Sequence, residues 1–144
     1  MSEIALPKID KSIIDKKKEI VKKLSKLTNS DNVLSEADEL RPYETDALSV
    51  YTQTPLAVVL PENTKQVSEI LKYCHEENIK VVPRGAGTGL SGGALPLQDA
   101  ILLGLGKFNQ ILEIDYHNKC VVTQPGVTNL GITHAVEHKG FYYA

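Results

Sequence analysis

The sequence predicts an α+β fold, a small βαβ sheet followed by the start of a second sheet. Three observations carry this. Two short apolar runs, Leu56–Leu60 and Ile79–Pro83, bracket a stretch with helical apolar spacing. A strand–helix–strand unit of about thirty residues is the size of a crossover between parallel strands. Farther on, Ile111–Asp115 and Cys120–Gln124 read as two strands joined by the short turn Tyr116–Lys119. Between the two groups lies a loop with five glycines in the nine positions Gly85–Gly93.

The bounds are those of an ordinary globular chain. At 144 residues it is long enough for one compact domain with a core. With 42% hydrophobic and 24% charged residues, disordered and collagen-like classes are excluded. A formal net charge of −2 gives no reason to expect nucleic acid as a partner. No apolar run approaches the length of a membrane span. The N-terminus lacks the apolar centre and small-residue cleavage site of a secretory leader. Cys74 and Cys120 are too few for a disulfide framework or a zinc cluster, and read as reduced, partly buried thiols of a cytoplasmic protein.

Each element follows from its own residues. Ile13–Leu27 is an amphipathic helix, with Ile13, Ile20, Val21, Leu24 and Leu27 on one stripe and lysines over the rest. Asp15 and Glu19 interrupt the positive charge, and the apolar side has no aromatic residue, so this is a solvated helix face rather than a membrane-binding one. Asn29–Leu40 is polar and turn-rich, a linker with at most one turn of helix, and Pro42 argues against helix continuing beyond it. Leu56–Leu60, between Pro55 and Pro61, is a buried strand. Asn63 and Gln66 form a capping-box pattern ahead of a helix over Lys65–Asn78. Ile79–Pro83 is the next strand. Ile101–Leu103 is a further apolar strand, at which the second sheet is expected to begin. Asn129–Lys139 is a helix closed by Gly140.

The glycine loop carries the chemistry. Glycines let main-chain N–H groups approach a ligand closely and together, as phosphate cradles require. Arg84 opens the loop with a fixed positive charge. Gly87-Thr88-Gly89-Leu90-Ser91-Gly92 matches G-x-G-x-x-G, but Gly93 and Pro96 follow where a dinucleotide fold needs a helix. Gly93 also stands where the phosphate-binding lysine of a P-loop would be. The loop therefore predicts a phosphate-bearing cofactor held in neither of those ways. His134 and His138 have i, i+4 spacing, yet nothing completes a metal site around them. No histidine is assigned a catalytic role. On residue type alone, Pro125-Gly126 is either a plain strand-to-helix turn or a close approach to a ligand.

The segment Pro83–Gly93 resembles the pyrophosphate loop of the FAD-linked oxidases of the vanillyl-alcohol-oxidase type, the PCMH-type FAD-binding domain. Arg41-Pro42-Tyr43-Glu44-Thr45-Asp46, Pro55–Pro61, Ile111–Asp115 and Gln124-Pro125-Gly126-Val127-Thr128-Asn129 resemble one branch, the group of glycolate oxidases and D-lactate dehydrogenases. The resemblance covers about Arg41 to Ala144 and implies the N-terminal part of a two-subdomain FAD-binding domain. Residues 1–40 are then a lysine-rich helix and linker, and residues 41–144 a truncated FAD-binding domain.

By that resemblance, Arg84, Gly85, Ala86, Gly87, Thr88 and Gly89, with Leu90 and Ser91 nearby, hold the FAD pyrophosphate, and Pro125 and Gly126 approach the cofactor. Covalent relatives have a histidine at the position of Thr88, so the flavin is expected to be noncovalent. The intact family oxidises a 2-hydroxy acid, glycolate or D-lactate, to the 2-oxo acid, with hydride passing to the flavin. The family's substrate-binding parts are not in these residues, so no catalytic residue is assigned. The aromatic end Gly140–Ala144 reads as a chain stopped in mid-structure. The chain is therefore expected to be an inactive remnant, or a module that associates with the missing remainder. An uncovered apolar face should then make it poorly soluble alone. The expected location is cytoplasmic, with a membrane-peripheral position left open because related enzymes often pass electrons to membrane carriers.

Overall fold

Asp10 starts the first helix: its side chain accepts from the Ser12 amide at 2.9 Å. Two helices follow, α1 (Lys11–Asp15) and α2 (Lys17–Leu27), where the apolar spacing predicts one. They break at Lys16, whose N–H donates to the Ile13 carbonyl at 3.2 Å. The computed structural model describes residues 7–144; the first six residues, including much of the segment read as lacking a leader, lie outside the described residues. Ile13, Ile20 and Leu24 are buried, as the stripe requires, while Lys18, Lys22, Lys23 and Lys26 are exposed or partly so.

The main sheet has four strands, β1 (Val33–Leu34), β2 (Ala57–Val59), β3 (Lys80–Arg84) and β4 (Ala100–Gly104), in the order β1-β2-β4-β3. Strands β2 and β3 both run parallel to β4, and β1 pairs antiparallel with β2. Two differences from expectation have physical causes. The strand at Ile101–Leu103 lies in the middle of the first sheet, not at the start of a second. Every residue from Ala100 to Gly104 is buried, and a strand with no polar side chain needs neighbours on both edges and cover on both faces. Strand β3 takes the edge beside it, where Pro83 removes no ladder donor that a further strand would need. The Asn29–Leu40 linker also contributes more than one turn of helix. It holds a 3₁₀ turn at Ser30–Asn32, strand β1 and helix α3 (Ala37–Leu40).

Alternation along the strands divides the core. Ala57, Val59, Ile101 and Leu103 face α1, α2 and α4 (Thr64–Glu76), meeting Ile13, Ile20, Leu24, Ile70 and Cys74. On the other face, Val58 and Leu102 pack against Leu40, with Tyr43 and Val82 alongside. Helix α4 begins as the capping pattern predicts, with the Asn63 side chain accepting from the Gln66 amide at 3.0 Å. The Gln66 side chain reaches back to the Glu62 amide, one residue before the cap. Cys74 is buried and Cys120 exposed, and both thiols are free; burial pushes the Cys74 thiol up to about 11.

The second sheet begins at Ile111. It is the antiparallel hairpin β5 (Ile111–Asp115) and β6 (Cys120–Thr123), with a register shift between Ile111 and Glu113. The bulge falls at Leu112, which is 59% exposed. Helix α5 (Asn129–Val136) lies with the hairpin, capped by Thr128, and after a 3₁₀ turn the chain reaches Gly140 at φ 78° as predicted. Val122, Leu130, Tyr142 and Tyr143 are each about half exposed or more. Among the described residues, no helix is long and apolar enough to cross a membrane.

Candidate functional site

The glycine loop connects two adjacent parallel strands, β3 and β4, and no helix intervenes. Its residues Gly85, Ala86, Thr88, Gly89, Leu90 and Ser91 are exposed. Among the described residues, none of the main-chain N–H groups from Gly85 to Ser91 donates to a protein acceptor. Seven neighbouring amides are thus left without a protein acceptor, in a loop that is mostly exposed. Cβ atoms placed on Gly85, Gly89 or Gly93 would meet nothing within 4 Å, so these glycines face open space rather than neighbouring chain.

Arg84 sits behind this row. It is 9% exposed, and Nη1 donates to the Thr45 carbonyl at 2.7 Å. Its guanidinium lies 5.8 Å from the centre of the Tyr43 ring. Gly87 rests on the same guanidinium: at φ 73°, a Cβ there would overlap Arg84 Nη2. The Gly87 carbonyl accepts from the Ala47 amide at 2.9 Å. The segment Tyr43–Ala47 therefore straps the loop from beneath, while also covering the second face of the sheet. On sequence alone Arg41–Asp46 is a motif of family resemblance with no assigned role; its place beneath the loop comes from contacts between segments far apart in the chain.

Asp46 belongs to this strap. It is 5% exposed; Oδ1 accepts from the Leu48 amide at 2.9 Å, and Oδ2 has no donor. Buried acceptors are nearly always satisfied, and Oδ2 is an exception. Neither Asp46 nor Arg84 enters any ion pair among the described residues.

Pro125 and Gly126 lie on the hairpin side. A Cβ on Gly126 would overlap the Leu105 carbonyl and stand 2.8 Å from the Phe108 carbonyl, and the Gly126 amide donates to Phe108 at 2.8 Å. Close packing against the Leu105–Phe108 turn thus demands this glycine. The same turn touches the loop, since the Leu105 amide donates to the Arg84 carbonyl at 2.9 Å. One turn therefore joins both regions singled out in the sequence. His134 and His138 are exposed, and no group of three or more metal-ligating side chains occurs among the described residues. A groove between the hairpin and α5 is lined by Ile114, Val121, Ile132 and Phe141, and no residue of the glycine loop lines it.

The FAD binding domain family model matches residues 55–144. Glycolate oxidase subunit GlcD of Escherichia coli (strain K12) is 49% identical over 112 residues, covering 78% of this chain and 22% of its own length. D-2-hydroxyglutarate dehydrogenase of Stutzerimonas stutzeri (strain A1501) is 32% identical over 124 residues, covering 86% of this chain and 27% of its own. Among solved structures, p-cresol methylhydroxylase with substrate bound superimposes with a TM-score of 0.76 at 28% identity, over 92% of this chain and 26% of that one. A 4-ethylphenol oxidase from Gulosibacter chungangensis, in complex with isoeugenol, gives 0.77 at 26% identity, over 94% and 27%. The chain thus spans 22% of GlcD, and about a quarter of the other relative and of both structures. With most of its length inside the family model and its fold shared with PCMH-type flavoproteins, the chain belongs to the FAD-binding domain family, and FAD is its cofactor.

Proposed function

We propose that the loop Arg84–Ser91 holds the FAD pyrophosphate noncovalently, as this chain's share of an FAD-dependent oxidation of a 2-hydroxy acid, glycolate or D-lactate, to the 2-oxo acid. The observation that carries the reading is the exposed run of amides from Gly85 to Ser91, each without a protein acceptor, over a buried guanidinium. A diphosphate brings the negative charge that such donors lack, and amide bonds to an anion are stronger than neutral ones. Thr88 offers no imidazole for a covalent link, and Pro125-Gly126 stands one turn away from the loop, which supports its inclusion near the cofactor. Bound flavin supplies the electron-accepting chemistry; the chain contributes binding and orientation. The hydroxy-acid class is supported by the Arg41–Asp46 and Gln124–Asn129 motifs and by the names of the two relatives.

A second reading follows from the span of 22% of GlcD: the chain is catalytically silent by itself, as a remnant or as a module working with the polypeptide that supplies the rest of the family's length. A cytoplasmic location, peripheral to a membrane where electrons are handed on, belongs to the same proposal.

The test is a flavin titration of the purified chain. FAD fluorescence should change on binding, ADP should compete, and riboflavin, which has no phosphate, should bind at least about tenfold more weakly. Equal binding of FAD and riboflavin, or none of either, would overturn the loop assignment. Dye reduction with glycolate or D-lactate is expected only when the remaining polypeptide is co-expressed; turnover by this chain alone would refute the division of labour.

A further inference from the structure

We infer that Arg84 is a positioning residue: together with Tyr43 and Thr45 it props the glycine loop from behind, so that the pyrophosphate meets main-chain amides and not the guanidinium. This rests on the reading of the loop as the pyrophosphate site and names the part that shapes it. An arginine beside a phosphate loop is ordinarily expected to reach for the phosphate. Here its head is taken up by the strap: the residue is 9% exposed and Nη1 donates to the Thr45 carbonyl, while its loop neighbours Gly85 and Ala86 are exposed.

Three contacts fix the guanidinium in that place. Nη1 donates to the Thr45 carbonyl at 2.7 Å. The Tyr43 ring lies beneath it at 5.8 Å. Gly87, at φ 73°, packs directly on Nη2, where any Cβ would collide. A fourth contact, Ala47 N–H to the Gly87 carbonyl at 2.9 Å, ties the same glycine to the same strap. The loop is thereby held at its start through the Arg84 backbone in β3 and at its third residue through Gly87. Between those anchors no internal hydrogen bond of its own sets the direction of the amides. In the inferred arrangement the planar guanidinium, set between Gly87 and the Tyr43–Thr45 strap, keeps them available to the ligand, and an ammonium on a flexible stem cannot fill that place.

The distinction is testable because lysine substitutes well for a charge and poorly for a stacked fork. FAD and inorganic pyrophosphate are titrated into the wild-type chain and into Arg84→Lys, Arg84→Met, Tyr43→Leu and the Arg84→Met/Tyr43→Leu double variant. Melting temperatures are recorded without ligand, and binding is measured below the lowest transition. Arg84→Lys and Arg84→Met should weaken both ligands to a similar degree, by about tenfold. Tyr43→Leu, which keeps the charge, should weaken both by about threefold to tenfold, and the double variant should bind no worse than Arg84→Met alone. Recovery by lysine to within about twofold of wild type, or additive losses in the double variant, would overturn the inference while leaving the loop reading intact. A wild-type chain that takes up neither FAD nor pyrophosphate would remove the loop reading and this inference with it.

Discussion

Gly87 and Gly85 look alike in the sequence and do different work. Gly87 adopts a left-handed backbone against the Arg84 guanidinium, whereas Gly85 and Gly89 face open space. Gly87→Ala should therefore cost about 2–3 kcal/mol of folding stability, from the left-handed penalty plus displacement of Arg84. Gly85→Ala and Gly89→Ala should change stability by less than about 1 kcal/mol and yet lower FAD affinity, if the proposed pyrophosphate site is correct, since an added methyl would intrude on it. Urea denaturation and FAD titration on the three variants check both statements. The glycine pattern was legible as an open, exposed loop from composition alone. The direction of the Arg84 side chain was not, because it depends on Tyr43 and Thr45, some forty residues upstream and joined to it only in the fold. Nor could the sequence show that Gly126 is required by the Leu105–Phe108 turn, a contact between separate segments.

Among the elements, β4 was recognisable as a strand and misplaced by sequence order. Its lack of any polar residue was the available signal for a central position, and that signal outranks order along the chain. Strand β1 was hidden because two residues carry no measurable alternation. The start of β3 is tied down by electrostatics. Lys80 Nζ lies 2.6 Å from Asp99 Oδ2, and the Asp10 amide donates to the same oxygen at 2.7 Å, so edge strand, preceding turn and α1 meet on one carboxylate. Burial alone would raise the Asp99 pKa, but the Lys80 and Asp10 hydrogen bonds outweigh it and hold the group below its ordinary value. A carboxyl depressed in the folded state stabilises above its unfolded pKa of about 3.9, and that stabilisation fades as pH falls through the lower folded value. Asp99→Asn should lose about 1–3 kcal/mol at pH 7, with Lys80 partly solvated. The difference from wild type should shrink steadily below about pH 4. Urea melts of both proteins across pH 7 to 3 measure it. Asp10, Glu39 and Asp115 are lowered too, by hydrogen bonds at exposed sites; the Glu39 and Asp115 contributions are common to wild type and variant and cancel in the difference, whereas Asp10 also feels the Asp99 charge and contributes to it.

At the scale of the whole molecule, the two sheets are unequal. The four-stranded sheet is covered by α1, α2 and α4 on one face and by Leu40 and Tyr43 on the other. Among the described residues, the hairpin is flanked by α5 and by the aromatic contacts of Tyr116 with Phe141 and His138. Leu112, Val122 and Leu130 remain 59%, 49% and 62% exposed, and both hairpin edges are unpaired among the described residues. Sedimentation at rising concentration should show reversible self-association, weakened by Leu112→Lys and Val122→Thr. A concentration-independent monomer would contradict that expectation.

A two-stranded ribbon without flanking partners is barely stable in water by itself. Its backbone protons should therefore trade with heavy water through openings that leave the remainder shut. The molecule would then breathe in two halves: Val121 and Ile114 labelled early, Val58 and Leu102 only when everything comes apart.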